Sequence, residues 1–300
     1  MTVPIIVICG ATATGKSDLA VALARKIDGE IINADSMQLY KGMDIGTAKL
    51  TFEERGGITH HLIDRLEITE EASVAQYQVE ARAIIDSATK PMVIVGGTGL
   101  YIKSIIDELN FPDTDPQVRD RLSKEGEERG AKVMHERLAK LDPAAAQAIP
   151  MENLRRVVRA LEVIELTGKP FTANLPRAGA MRYPQAQQFG LQVEREFLAH
   201  RIDMRVKRMW QEGLVEETRG LIDKGLKEGR TARAALGYAQ VIRYLDGEIN
   251  EIEAIEETTI ATRAYSKRQE TWFSKDSRIE WISEISLEER LAAIQLRLGL

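Results

Sequence analysis

The sequence predicts an α/β protein, a parallel, doubly wound sheet interrupted by a mainly helical insertion. Three observations predict it. Short β-rich apolar runs alternate with helical stretches up to about Phe111. The first of those runs enters a glycine-rich loop that opens a helix. From about Phe111 to about residue 194 the chain becomes helical and charged, with no strong strand.

Composition agrees with such a plan. The 300 residues are 44% hydrophobic and 29% charged, enough for a globular chain of one or two domains. The net charge of −5 excludes a global polycation, so any nucleic-acid contact must use local basic patches. The single cysteine, Cys9, sits in the apolar run "IIVICG", which excludes a disulfide framework and suits a reducing compartment. One cysteine and four histidines give no zinc-ligand spacing. "MTVPIIVICG" lacks a positive n-region and a small-residue cleavage site, so it reads as a strand rather than a signal peptide. No apolar run reaches the roughly 18 residues of a membrane helix. The expectation is a cytoplasmic protein with no membrane contact.

Residues 3–9 are a continuous apolar run, a buried first strand. "KSDLAVALARKI" follows the loop as a helix rich in Ala and Leu, and "EIINAD" is a short second strand ending in Asp35. In residues 73–90, Val74, Tyr77, Ala81, Ile84, Ile85 and Ala88 recur at helical spacing behind Ser73 as N-cap. Pro91 introduces "MVIV", a third buried strand, and "GGTGLYIKSII" turns into the next helix. "FPDTDPQVRDRL" brings two prolines and several acids. "RAGAMRYPQAQQ" (177–188) reads as loop, "FGLQVE" (189–194) as a candidate return strand, residues 195–275 as mostly helix and "RIEWI" (278–282) as a last strand. No internal repeat interrupts this order. The domains expected are 1–114 with 195–300 as the α/β catalytic core and 115–194 as the insertion.

Gly10-Ala11-Thr12-Ala13-Thr14-Gly15-Lys16-Ser17 satisfies G-x-x-x-x-G-K-[ST] between a predicted strand and a predicted helix. The fold is therefore P-loop NTPase-like. In such a loop the glycines let backbone N–H groups converge on phosphate oxygens, and the helix N-terminus adds a favourable dipole. Lys16 supplies a mobile charge and the Ser17 hydroxyl a ligand for Mg²⁺. The default chemistry is phosphoryl transfer from a nucleotide. That default needs an acid at a second strand end, yet "MVIVGG" ends in glycine and only Asp35 is placed to face the phosphates. If the three strands are neighbours, Lys16, Ser17, Asp35, Ser36, Gln38 and Thr98 share one cleft at the carboxyl ends of the sheet. Asp35 also reads as a turn acid, and Thr98 as a helix cap.

Basic residues cluster twice more. In "NLRRVVRALEVI", Leu154, Val157, Val158, Leu161 and Ile164 line one helix face, while Arg155, Arg156 and Arg159 lie off it as a ridge. Residues 195–208 hold five basic side chains (Arg195, Arg201, Arg205, Lys207, Arg208) against Glu196 and Asp203. Lys267 and Arg268 add to the charge. Each set also reads as an ordinary solvated helix face. His60 and His61 read as structural, and Trp210, Trp272 and Trp281 as core.

The blocks "GATATGKS", "DSMQLYKGMDIGTAK", "HHLID", "VGGTGLYIKSI", "TDPQVR", "NLRRVVRALEVIELTGKP", "HRIDMRVKRM", "LGYAQ" and "ATRAYSKRQETWF" run from about residue 3 to about 275. Together they resemble the signature blocks of the tRNA dimethylallyltransferase (isopentenyltransferase) family. The resemblance implies transfer of a dimethylallyl group from dimethylallyl diphosphate to the exocyclic amine of the adenosine 3′ of the tRNA anticodon, with pyrophosphate released. It implies that residues 10–17 hold the diphosphate with Mg²⁺ on Ser17, and that Lys16, Asp35, Thr98 and Arg205 are catalytic. Arg205 would grip the diphosphate oxygens, and Asp35 would serve as general base or as a metal-linked acid. Asp35, Ser36, Met37, Gln38 and Thr98 would read the flipped base. Arg119, Arg155, Arg156 and Arg159 would contact the tRNA anticodon stem-loop. Gly237-Tyr238 matches a family turn that meets tRNA, but Ala239 stands where many relatives carry a basic residue, and Ser17 stands where Thr is frequent. The alternatives are an adenylate isopentenyltransferase, a P-loop small-molecule kinase and a nucleotide-binding module without chemistry. A monomer is the default.

Overall fold

A computed structural model describes residues 3–174 and 180–300. In chain order the strands are β1 (Ile5–Gly10), β2 (Glu30–Asn33), β3 (His60–His61), β4 (Met92–Gly96), β5 (Gln187–Leu191) and β6 (Ile279–Ile282). The helices of the sheet-forming part are α1 (Lys16–Lys26), α2 (Val74–Ser87), α3 (Gly99–Ile106), α8 (Arg195–Gln211), α9 (Leu214–Ile222), α10 (Tyr238–Leu245), α11 (Glu251–Phe273) and α12 (Leu287–Leu298). Between α3 and β5 lie α4 (Pro116–Arg129), α5 (Ala131–Leu141), α6 (Pro143–Ala148) and α7 (Leu154–Thr167).

The strands form one all-parallel sheet in the order β3-β2-β4-β1-β5-β6. The continuous apolar runs of β1 and β4 are explained by burial on both faces. Side chains alternate across the sheet. Ile5, Val7 and Cys9 pack with α2, α3 and Phe273 on one face, while Ile6 and Ile8 pack with α1 and Ile294 of α12 on the other. Burial pushes the Cys9 thiol up to about 12, so it is inert core. The order puts β2, β4 and β1 side by side, and with them the three polar strand ends.

Two compact units result, Met1–Ile106 with Tyr183–Leu300, and Asp107–Arg182. The return to the sheet thus comes earlier than an insertion of 115–194 allows. β5 starts at Gln187, and its pairing with β1 and β6 ties it to the first unit. Of the expected loop 177–188, residues 177–179 lie outside the described residues.

Within the second unit Val157, Val158 and Leu161 of α7 are buried against α4, α5 and α6, the apolar face the spacing predicts. The arginines off that face divide. Arg155 and Arg156 are exposed, and among the described residues no ion pair holds them. Arg159 turns back to Glu162 at 2.9 Å and to the Pro112 carbonyl at 2.7 Å. Arg119 of α4 grips the same carboxylate with two nitrogens at 3.1–3.2 Å. Glu162 is wholly buried, so this Arg–Glu–Arg knot holds α4, α7 and the segment before α4 together. Removing a carboxylate from water is costly unless such partners pair with it.

Candidate active site

The loop after β1 is braced before it meets any ligand. The Thr14 hydroxyl donates to the Ala11 carbonyl at 2.9 Å, and Lys16 Nζ folds onto the same carbonyl at 2.5 Å. Gly15 sits at φ +88°, a left-handed conformation that glycine adopts without strain, and it launches α1. No side chain caps α1, so the first-turn N–H groups are open to an anion. Arg290 of α12 donates to the Thr14 carbonyl at 2.7 Å and to the Glu284 carbonyl at 2.7 Å. Gln269 of α11 accepts the Thr12 N–H at 2.8 Å and donates to the Gly97 carbonyl at 2.9 Å, joining the loops after β1 and β4.

The turn after β2 is held by Asn33, a buried residue. Its side chain accepts the Asp35 N–H at 3.0 Å and donates to the Leu62 carbonyl at 2.9 Å. Asp35 Oδ1 accepts the Met37 N–H at 2.9 Å, which fixes the carboxylate in a tight turn. The Thr98 hydroxyl accepts the Ser36 N–H at 3.3 Å, linking this turn to the start of α3. The Tyr265 phenol lies against the Thr98 and Gln269 side chains, and burial, with Asp35 nearby, pushes it up to about 12.

Lys16, Ser17, Asp35, Gln38, Gly96 and Arg205 line one cleft. Burial first and the Arg205 guanidinium second lower the Lys16 ammonium, against the opposing pull of Asp35, to about 8. Burial also works against the Arg205 charge, and Asp35 supports it. One carboxylate thus faces two half-buried cations at the open end of a helix. An arrangement of this kind can take a bound anion with two or more phosphate groups and set a proton acceptor beside it.

The family profile described as IPP transferase matches residues 38–276. This chain belongs to the IPP transferase family. Among its relatives is a tRNA dimethylallyltransferase of Thermobifida fusca, 56% identical over 286 residues that cover 93% of this chain and 89% of the relative. A tRNA isopentenylpyrophosphate transferase of Bacillus halodurans has a crystal structure with a TM-score of 0.71 and 37% identity, covering 99% of this chain and 95% of that one. A eukaryotic dimethylallyltransferase acting on tRNA gives a TM-score of 0.82 at 27% identity, over 99% of this chain and 77% of that one.

The IPP transferase cleft differs from the sequence reading in several places. Thr98 and Ser36 stand beside it rather than in its wall, and Met37 packs into the helical cluster of α9 and α10. Arg119, Arg155, Arg156 and Arg159 belong to the other unit. The Tyr238 side chain itself is wholly buried. Trp272 and Trp281 are 44% and 36% exposed, so neither is core, whereas Trp210 packs beside Met209 and Leu214. His60 and His61 are structural, bonded to the Ile58 carbonyl and Glu30. Gln269, Asn33, Arg290 and Tyr265 were not singled out by the sequence. Only for Gln269 and Tyr265 did a signal exist, their place in the block "ATRAYSKRQETWF".

Proposed function

We propose that this chain transfers a dimethylallyl group from dimethylallyl diphosphate to the exocyclic amine of the adenosine 3′ of the tRNA anticodon, releasing pyrophosphate. The observation that carries the reading is the convergence of Lys16, Arg205 and the open first turn of α1 on a cleft that Asp35 enters from the neighbouring turn. The adenine amine is a weak nucleophile because its lone pair is delocalised. An allylic diphosphate ionises readily, so the group needing stabilisation is the departing pyrophosphate, whose charge grows as the C–O bond breaks. Lys16, the Arg205 guanidinium and the amides of residues 13–17 are suited to that charge. Thr12 contributes less, because its N–H is committed to Gln269. Asp35 accepts the proton of the attacking amine, and Gln38 offers its carboxamide to the flipped base. Thr98 and Ser36 support that turn from behind.

Mg²⁺ fits this donor set. Among the described residues no cluster of three or more His, Cys, Asp or Glu forms a cage, and the cleft offers the Ser17 hydroxyl and one carboxylate. That suits an ion held mainly by the substrate's phosphates. Bound there by Ser17, Mg²⁺ would neutralise diphosphate charge.

For the tRNA anticodon stem-loop, the exposed Arg155 and Arg156 are the direct phosphate contacts, while Arg119 and Arg159 act first as supports through Glu162. Among the described residues no helix is long and apolar enough to cross a membrane, and a cytoplasmic monomer accords with a tRNA substrate. The test supplies dimethylallyl diphosphate labelled in the prenyl carbons with tRNA, AMP or ATP in turn. Label in tRNA alone is the expected result. Label in AMP or ATP overturns the choice of acceptor.

A further inference from the structure

The loop after Gln38 forms one wall of the cleft through Thr47 and Ala48, and side chains far along the chain hold its shape. Glu217 of α9 turns its carboxylate toward three consecutive amides, Asp44 at 3.2 Å, Ile45 at 2.9 Å and Gly46 at 3.4 Å. Tyr238, at the start of α10, donates its phenol to the same carboxylate at 2.5 Å and accepts the Gly46 N–H at 3.1 Å. Gly46 has no room for a side chain, since a Cβ there would lie 2.4 Å from the Tyr238 ring. At the other end of the loop, the buried Lys49 donates to Asp44 and Asp64, each at 2.6 Å, and to the Tyr40 carbonyl at 2.9 Å.

Between these two clamps sits the Thr47 carbonyl. It accepts Gln38 Nε2 at 3.2 Å and an Arg205 nitrogen at 3.4 Å. One oxygen therefore meets both the guanidinium on the diphosphate side of the cleft and the carboxamide on the side of Asp35. Neither Glu217 nor Tyr238 lines the cleft.

We propose that Glu217 is a positioning residue of the transfer reaction. It holds the Asp44–Ala48 loop so that the Thr47 carbonyl orients Arg205 and Gln38 together. The inference rests on the roles assigned above to those two side chains. A carboxylate accepting three amides and a phenol makes charge-assisted bonds, which are the strong ones. Without it the amides lose their shared acceptor, and the loop has no reason to keep the conformation that places Thr47. Burial and the Glu217 charge both push the Tyr238 phenol far above its usual range, so it remains a donor at any working pH.

The test measures Glu217→Ala and the milder Tyr238→Phe in single- and multiple-turnover assays. Glu217→Ala should lower kcat by about 10- to 100-fold, the scale of a misplacement near 1 Å, with the KM for tRNA unchanged. Tyr238→Phe should lower kcat by a few fold. Each change is then repeated in the Gln38→Ala and Arg205→Ala backgrounds. A residue that acts through those two side chains costs less once either is gone, so the penalty should shrink in both backgrounds. The same fold-loss in every background overturns the proposal, because Glu217 would then only support the fold. If Glu217→Ala fails to fold, the Tyr238→Phe cycle decides by the same criterion. A wild-type chain that moves no label into tRNA overturns the functional reading, and this inference with it.

Discussion

Asp35→Asn lowers kcat by about a thousandfold, the middle of the range for removing a general base. Asparagine keeps the size of the side chain and an oxygen for the Met37 N–H, so the turn after β2 survives. What it loses is the capacity to accept a proton. The change does not weaken diphosphate binding. Asp35 is the negative group that faces Lys16 and Arg205, and removing its charge favours an anion in the cleft. At a pH well below 8, where Lys16 keeps its charge without Asp35, the KM for dimethylallyl diphosphate therefore stays level or falls. Raising Mg²⁺ does not restore turnover, which separates a base from a metal ligand. Steady-state kinetics with both substrates varied, at two Mg²⁺ concentrations, checks all three statements. Near-normal turnover, or rescue by Mg²⁺, contradicts the base role.

Lys16→Ala has the second large effect, a loss of about 100- to 1,000-fold in kcat/KM for the diphosphate, as for other groups that stabilise developing anionic charge. The wild-type pH profile carries the same information. The Lys16 ammonium in the ligand-free protein is lowered to about 8 by burial and by Arg205. It is charged below that pH and neutral above it, and only the charged form offers the diphosphate a cation. The kcat/KM for dimethylallyl diphosphate should thus be flat on the acid side of pH 8 and fall with rising pH beyond it, since this quantity reports groups of the free enzyme. Lys16→Arg keeps a charge at all working pH, so its alkaline limb should disappear even where its absolute rate is lower. An unchanged alkaline limb in Lys16→Arg assigns the titration elsewhere.

The parts of this protein that were legible in the sequence are the local ones. A continuous apolar run into G-x-x-x-x-G-K-[ST] located β1, the loop and α1, because period, composition and turn chemistry all agree there. The helical face of α7 was equally plain. Long-range geometry was not. Gln269 reaches Thr12 across 257 residues of sequence and Arg290 reaches Thr14 across 276, and no local pattern announces such partners. Arg119 and Arg159 looked like surface ligands because Glu162, the carboxylate that engages both, reads from sequence as one more charge on an amphipathic helix. The tryptophans misled for a simpler reason. Large apolar side chains are frequent on protein surfaces, so hydrophobicity alone does not bury Trp272 or Trp281. β5 was foreseen as a return strand, but its first two residues, Gln187 and Gln188, have the polarity of a loop. They pair with Ile6 and Val7 of β1 all the same.

The central claim is that the phosphate loop holds a leaving group rather than a group in transit. It is tested most directly by following two isotopes in one reaction. Dimethylallyl diphosphate carrying ¹⁴C in the prenyl unit and ³²P in the diphosphate is incubated with the protein, Mg²⁺ and tRNA. All transferred ¹⁴C should appear in tRNA, with an equal amount of ³²P released as inorganic pyrophosphate and none in the RNA. Phosphorus label on the acceptor, or orthophosphate as the released product, would contradict the account.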